Sequence, residues 1–419
     1  MKAVILAAGK GSRLNPLTVT RPKHMLPIAG KPVLEHIVQG LRDADVREIG
    51  LVVHHIKEKI IGYFGDGSKW GVEITYIEQP KPEGTAAAVE VAADYVGDEP
   101  FLLVHGDVTV TGPILRELIN IFERNSADAV VLGTEVPNPQ EYGVLDVDGN
   151  PIGRLLGVIE KPRGRVRSRV INAGAFVFTP RIFEYVSRVG YSSRGERELT
   201  EALRMMASER EVLVYNAGSG WWFDVGRPWD LIDANKYFLS KIETKIKGEI
   251  HPGATILGPV VLEEGSVIMS GAVLVGPLYI GRGTRIEYNT VIGPYTSIGR
   301  DVVIGPLSYV VGSVILDNTR VSSHCSIFES IIGESVYLES GVKIPGYNIY
   351  GTTVKVLIKG RKIDSGREVL GAIIGDEVRI GANSSILPGI TVMPRSIIDP
   401  GSAVREDVLG DGSGGDTSP

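Results

Sequence analysis

Apolar residues follow two different spacing rules along this chain. Through residues 1–240, apolar runs of strand length (3–7, 49–53, 74–77 and 101–104) alternate with stretches of helical spacing (33–41, 58–64, 85–95 and 114–122). Four such β–α alternations predict a parallel sheet covered on both faces. From about 129 to 178 strand-like runs dominate, which predicts an added region of mixed strand direction, and helical stretches return at 198–206 and 228–245.

The second half changes period. Counting in sixes from Ile250 reaches Ile256, Leu262, Ile268, Leu274, Ile280, Ile286, Ile292, Ile298, Ile304, Val310 and Leu316, twelve aliphatic positions in succession. The same step links Ile332, Leu338 and Ile344, and then Ile374, Ile380, Ile386, Val392, Ile398 and Val404. A hexad of this kind is the mark of a parallel β-helix, in which one aliphatic side chain per strand stacks inward and three strands close a coil. About seven coils are expected, with loops or irregular coils at the phase breaks near 322–326 and 346–371.

Composition fits this division. Glycine supplies 52 of 419 residues, against an average of about 7%; residues 251–419 hold 26 of them at the higher density, as β-helix corners that need φ > 0 would require. The net charge of −6 argues against a nucleic-acid binder. One cysteine, Cys325, permits no intrachain disulfide. No apolar run approaches the roughly 18 residues of a membrane helix, and the apolar N-terminus reads as a buried first strand. No membrane partner and a cytoplasmic location are therefore expected. The domain boundaries read as 1–240 for the α/β half, 241–249 for a linker, 250–409 for the β-helix and 410–419 for a disordered tail.

Residues 1–34 carry Lys2, Lys10, Arg13, Arg21, Lys23 and Lys31 before the first acid, Glu35. Such a cluster directly after a first strand suggests a polyanion site. Ala7, Ala8, Gly9 and Gly11 have little or no side chain, so a ligand can approach the backbone amides closely. The loop fits neither the dinucleotide fingerprint, since Arg13 and Leu14 follow its Gly-x-Gly, nor the P-loop.

The run Leu6-Ala-Ala-Gly-Lys-Gly-Ser-Arg-Leu-Asn-Pro-Leu-Thr18, with Arg21-Pro-Lys-His-Met-Leu-Pro-Ile-Ala-Gly-Lys-Pro32, resembles the signature of the sugar-1-phosphate nucleotidylyltransferases, or nucleotide-sugar pyrophosphorylases. The resemblance continues through residues 79–87, His105-Gly-Asp107, 157–162, Asn172-Ala-Gly174 and Trp222-Phe-Asp-Val-Gly-Arg-Pro228. Through residues 359–387 the second half resembles the archaeal bifunctional N-acetylglucosamine-1-phosphate uridylyltransferases. The resemblance implies a Rossmann-like α/β domain with a mixed sheet followed by a left-handed parallel β-helix. It implies attack of a sugar 1-phosphate on the α-phosphorus of a nucleoside triphosphate, with Mg²⁺ as cofactor.

Residue by residue, the resemblance gives Asp107 and Asp224 to the metal. Arg13 goes to the triphosphate and leaving pyrophosphate, Lys23 to the phosphates at the reacting centre, and Lys161 to the sugar phosphate. Leu6, Ala8, Gln79, Gly84 and Thr85 line the nucleoside pocket, while Tyr142, Gly143, Glu160 and Asn172 meet the sugar. The Gln79 context reads as UTP or dTTP, with N-acetylglucosamine or glucose 1-phosphate favoured; mannose-1-phosphate guanylyl transfer is the alternative. The arginines at 163, 165, 167 and 169 read as a solvated loop. In the bifunctional relatives the β-helix also acetylates an amino-sugar phosphate, using a histidine, a tyrosine, an asparagine and a lysine. Here His324 stands near the expected place, but the tyrosine neighbourhood reads Ser326-Ile-Phe-Glu and Thr352 stands where the lysine is expected. An oligomerisation role, with a homotrimer favoured, is the plainer expectation. A catalytically inactive regulatory subunit is the non-enzymatic reading, disfavoured because Arg13, Lys23, Asp107 and Asp224 are retained together.

Overall fold

A computed structural model describes residues 1–410 apart from Arg165 and Arg167. Residues 411–419 of the expected 410–419 tail, and those two members of the arginine run, lie outside the described residues. The chain forms two compact units: Met1–Lys10 with Val33–Asp224, and Gly11–Pro32 with Val225–Pro419.

In chain order the strands up to residue 216 are β1 (Lys2–Ala7), the hairpin β2 (Pro27–Ile28) and β3 (Lys31–Pro32), β4 (Glu48–Val53), β5 (Glu73–Glu78), β6 (Phe101–His105), β7 (Ala129–Glu135), β8 (Gly143–Asp148), β9 (Ile152–Glu160), β10 (Val170–Phe178) and β11 (Val212–Asn216). The helices are α1 (Val33–Asp43), α2 (Lys57–Phe64), α3 (Thr85–Glu90), α4 (Ala93–Val96), α5 (Gly112–Arg124), α6 (Ile182–Val186), α7 (Leu199–Glu209) and α8 (Pro228–Leu239). The first unit is built on one nine-stranded sheet in the order β5-β4-β1-β6-β10-β7-β11-β9-β8. β1, β4, β5 and β6 run parallel, as the alternation predicts. β10 enters antiparallel between β6 and β7, so the mixed strands extend the same sheet.

Residues 3–7 of β1 are all buried, which a strand covered on both faces requires. Val4, Leu6 and Leu103 share one core with Ala86 and Val89 of α3, Ile182 of α6, and Leu203 and Met206 of α7. α1 and α5 pack on each other as a separate pair. Two expected helices are shorter than their spacing suggests. The 85–95 stretch breaks between α3 and α4 around Val91 and Ala92, and the 228–245 stretch ends at Leu239 because Lys245–Ile246 is already a β-helix strand.

The second unit is a β-helix of three parallel sheets with eight strands each, one rung more than expected. Its interior follows the predicted ladder with Val321 added, a position the count in sixes did not reach: Ile268, Ile286, Ile304, Val321, Leu338, Ile380 and Ile398 stack on one face and belong to one buried core. The phase breaks differ from the expectation. Residues 322–325 form an ordinary corner between the paired strands Arg320–Val321 and Ser326–Phe328, and the step shortens to five residues at two places, Val310 to Ile315 and Ile327 to Ile332. Ile315, rather than Leu316, therefore stacks under Ile298. Buried serines close both short corners: Ser313 Oγ donates to the Val311 carbonyl (2.9 Å) and Ser330 Oγ to that of Phe328 (2.7 Å). The expected irregularity at 346–371 is an insertion at this same corner, carrying the antiparallel hairpin Lys355–Ile358 with Arg361–Asp364. Glycine does not hold every corner, since Asn289, Leu307 and His324 also adopt left-handed φ.

Candidate active site

In the first unit, the sheet delivers its candidate groups from the ends of β1 and β6. Leu6, Ala7 and Ala8 are buried and Gly9 is exposed; the Gly106 N–H donates to the Leu6 carbonyl (2.9 Å). Beyond β6, Val108 pairs in antiparallel fashion with Asp224, and the Thr109 N–H donates to the Phe223 carbonyl (2.9 Å). Asp107 thus lies one position from the residue paired with Asp224, although more than a hundred residues separate the two in sequence. Among the described residues no group of three His, Cys, Asp or Glu side chains gathers as a metal cage. Two carboxylates as the protein's share fit Mg²⁺, which usually keeps water and substrate phosphates in its remaining positions.

The expected sugar residues come together. Gly143 faces Glu160 across β8 and β9, and a Cβ there would lie 3.0 Å from Glu160 Oε2 and 3.8 Å from Asn172 Cβ. Asn172 marks the irregularity in β10, where its Oδ1 accepts from the Gly174 N–H (2.9 Å). Gly174 has φ +78°, and a side chain there would press on the His105 ring. Tyr142 meets Trp222 edge-on at 5.2 Å, and Trp222 Nε1 donates to the Ala173 carbonyl (2.9 Å). Lys161 has φ +45°, its N–H donates to the Tyr142 carbonyl (3.0 Å), and its Nζ lies 3.9 Å from Glu160 Oε1.

Glu160 and Lys161 line a cavity of about 750 Å³ with Arg163, Tyr191, Arg194 and Glu198. Arg194 pairs with both Glu160 (3.3 Å) and Glu198. No motif singled Arg194 out; its signal is the run Arg194-Gly-Glu-Arg-Glu-Leu-Thr200, whose alternating charges read as a solvated turn. Arg197 in the same run braces the segment around Gly84 and Thr85. Its N–H donates to the Glu83 carbonyl (2.7 Å), and its own carbonyl accepts from the Ala86 N–H (3.0 Å). Gly84 has φ +109°, and a Cβ there would stand 2.4 Å from the Arg197 carbonyl oxygen. The Thr85 hydroxyl accepts from the Leu199 N–H (2.9 Å) at the start of α7. Gln79 is buried, with His54 Nδ1 2.8 Å from its backbone carbonyl oxygen.

The loop carrying Arg13 and Lys23 belongs to the second unit. Gly11 is left-handed, and a Cβ on it would come within 2.9 Å of Lys23 Cβ. The Thr18 hydroxyl closes the turn onto the Gly11 carbonyl (2.9 Å). Leu14 and Leu17 are buried beneath it, while Arg13 and Lys23 remain half-exposed. The six-cation cluster is smaller than the sequence suggests. Arg21 is buried in an ion pair with Asp376 and Glu334 of the β-helix, and Lys2 in the first unit donates to the Tyr95 carbonyl (2.7 Å). A cation committed in this way is not available to a phosphate.

On the β-helix, His324 is exposed at a left-handed corner, and Lys343 Nζ donates to its carbonyl (2.6 Å). A tyrosine does stand nearby, on the preceding rung: Tyr309 pairs with Ser326 and packs edge-on against Phe328 at 5.2 Å.

Residues 2–241 match the family model described as nucleotidyl transferase, and residues 274–370 match the GMPPB C-terminal domain. The "Bifunctional protein GlmU" of Methanocaldococcus jannaschii is 38% identical over 408 residues, which cover 97% of this chain and 96% of that protein. A bifunctional sugar-1-phosphate nucleotidylyltransferase/acetyltransferase of Sulfurisphaera tokodaii is 36% identical over 410 residues, covering 97% and 98%. A solved UDP-glucose pyrophosphorylase, in complex with UDP-glucose, shares the fold with a TM-score of 0.54 at 24% identity, over 57% of this chain and 99% of that one. Family model and full-length relatives agree with the ordered motifs: the chain belongs to the nucleotidyl transferase family and is a sugar-1-phosphate nucleotidylyltransferase.

Proposed function

We propose that the chain transfers a uridylyl or thymidylyl group from UTP or dTTP to N-acetylglucosamine 1-phosphate or glucose 1-phosphate, releasing pyrophosphate. The observation that carries this reading is the gathering of Tyr142, Gly143, Glu160, Lys161 and Asn172 in one region of the first unit. A phosphate monoester has its second pKa near ~6, so the nucleophile is charged at neutral pH and needs no general base. The residues must instead hold two anions together and neutralise charge that grows on the phosphates. In this reading Lys161 holds the sugar phosphate and Glu160 accepts from sugar hydroxyls, with Arg194 steadying Glu160 and Glu198 on the same cavity. Leu6, Ala7, Ala8, Gly9 and Gly11 offer close backbone approach, and Gln79, Gly84 and Thr85 border the base and ribose. The Gln79 carboxamide can both donate to and accept from a base edge. Arg13 and Lys23 contact the transferring and leaving phosphates.

Asp107 and Asp224 would hold Mg²⁺, which supplies Lewis-acid stabilisation of phosphate charge when bound. Residues 1–240 would carry the transfer, with 250–409 as a scaffold that assembles a homotrimer in the cytoplasm.

The test is pyrophosphate release from five nucleoside triphosphates, each paired with glucose, mannose, galactose and N-acetylglucosamine 1-phosphates. Turnover confined to GTP with mannose 1-phosphate overturns the reading in favour of guanylyl transfer. A second reading, acetyl transfer on the β-helix, is favoured by the His324 corner beside Tyr309. It requires thiol release from acetyl-CoA with glucosamine 1-phosphate.

A further inference from the structure

The loop Gly11–Pro32 is fastened to the β-helix on both sides of Lys23. Before it, Arg21 Nη2 donates to Asp376 Oδ2 and to Glu334 Oε2 (2.9 Å), and the Thr20 hydroxyl donates to the same Asp376 oxygen. The other oxygen, Asp376 Oδ1, accepts from the Glu334 N–H (2.7 Å). After it, the Ala29 N–H donates to Asn235 Oδ1 (2.9 Å), and Gly30 sits so tightly on Tyr279 that a Cβ would fall 2.2 Å from its ring. Only Pro22 separates the anchored Arg21 from Lys23. Its φ of −63° is fixed by the ring, and Lys23 begins a one-turn 3-10 helix, Lys23–Met25. Little torsional freedom is left between the carboxylate on the β-helix and the backbone of Lys23. From there the Lys23 stem packs on Gly11, two residues from Arg13.

Stability alone does not account for this arrangement. Arg21 is 8% exposed and Asp376 4%, and an apolar pair of the same volume would often stabilise a buried site as well or better. What a carboxylate with three donors provides, and apolar packing does not, is a single direction. We propose that Asp376, acting through Arg21, is a positioning residue that sets Lys23 and Arg13 for their phosphate contacts, so that the β-helix takes part in nucleotide handling. The proposal rests on the reading of Lys23 and Arg13 as phosphate ligands.

The test is steady-state kinetics of the full chain with Asp376→Asn, using UTP or dTTP and whichever sugar 1-phosphate is turned over. KM for the nucleotide and the inhibition constant of added pyrophosphate should both rise roughly tenfold or more, while KM for the sugar phosphate stays unchanged. A residue that only supports folding would lower the active fraction, and hence kcat, without moving either constant; that result overturns the proposal. Should Asp376→Asn fail to fold, the double variant Arg21→Met with Asp376→Leu removes both buried charges and carries the same expectation. Lys23→Ala separates the two levels. If it raises both constants and the Asp376 variants do not, the positioning role falls alone. If Lys23→Ala leaves both unchanged, the phosphate-ligand reading falls, and the positioning role with it.

Discussion

Asn235 of α8 is fully buried, and its carboxamide joins three chain segments. Its Oδ1 accepts from the Ala29 N–H (2.9 Å) and the Ser297 hydroxyl (2.6 Å), and its Nδ2 donates to the Tyr295 carbonyl (3.1 Å). Asn235→Ala removes all three bonds. The Ser297 hydroxyl can rotate, but the Ala29 N–H and the Tyr295 carbonyl are fixed by the backbone. An orphaned buried group costs roughly 1–3 kcal/mol; Tyr295 is exposed and Ala29 half-buried, so water takes over part of what is lost, and the variant should lose roughly 1–3 kcal/mol in all. Equilibrium urea unfolding of the full chain measures this, with hydrogen exchange at the Ala29 amide as a local report; its protection should fall with the global stability. A loss below about 1 kcal/mol with Ala29 still protected would refute the reasoning, since it would mean that the carboxamide is not what satisfies these groups.

Three further outcomes follow from the same structure. Asp107→Ala and Asp224→Ala should each cut Mg²⁺-dependent pyrophosphate release by roughly a hundredfold or more; unchanged activity in both sinks the metal assignment. Ile298→Ala opens a hole at a fully buried ladder position and should cost about 2–5 kcal/mol in the unfolding of the β-helix, checked by calorimetry. Burial pushes the Cys325 thiol up, which lowers its thiolate fraction at any given pH. The native chain should leave a thiol reagent unreacted at pH 8 and release one equivalent of signal only on denaturation.

The interior ladder of the β-helix was legible because each inward position holds one aliphatic residue and the period is local. The five-residue steps were not, because Leu316 is apolar by coincidence and carried the count of six past the point where Ile315 takes over. The strands of the sheet were read closely, since apolar runs of four to seven residues are too short for a helix and length decides between the two. Helix ends were read less well: Ile246 continued the apolar spacing beyond Leu239 while already pairing with Leu262. In the site, residues within one motif were visible. Arg194 was not, because an exposed arginine among acids looks the same whether it solvates a turn or lines a cavity. The commitment of Arg21 was invisible for another reason: its partner lies 355 positions away, and nothing local distinguishes an anchored arginine from a free one.

One edge of the β-helix takes up every departure in chain length. Ile327 reaches Ile332 in five residues, Leu274 reaches Ile280 in six, and after Ile344 a whole hairpin intervenes before Ile374, yet the neighbouring rungs stay in register. Chain length at that edge is therefore decoupled from the stacking of the three faces. Such an edge behaves as a cassette port: a segment can be lengthened, trimmed or exchanged there while the aliphatic column keeps its count. The same arrangement offers an engineer a place to graft a recognition loop, and it offers related chains a way to diverge in one feature while the rest of the coil is held constant.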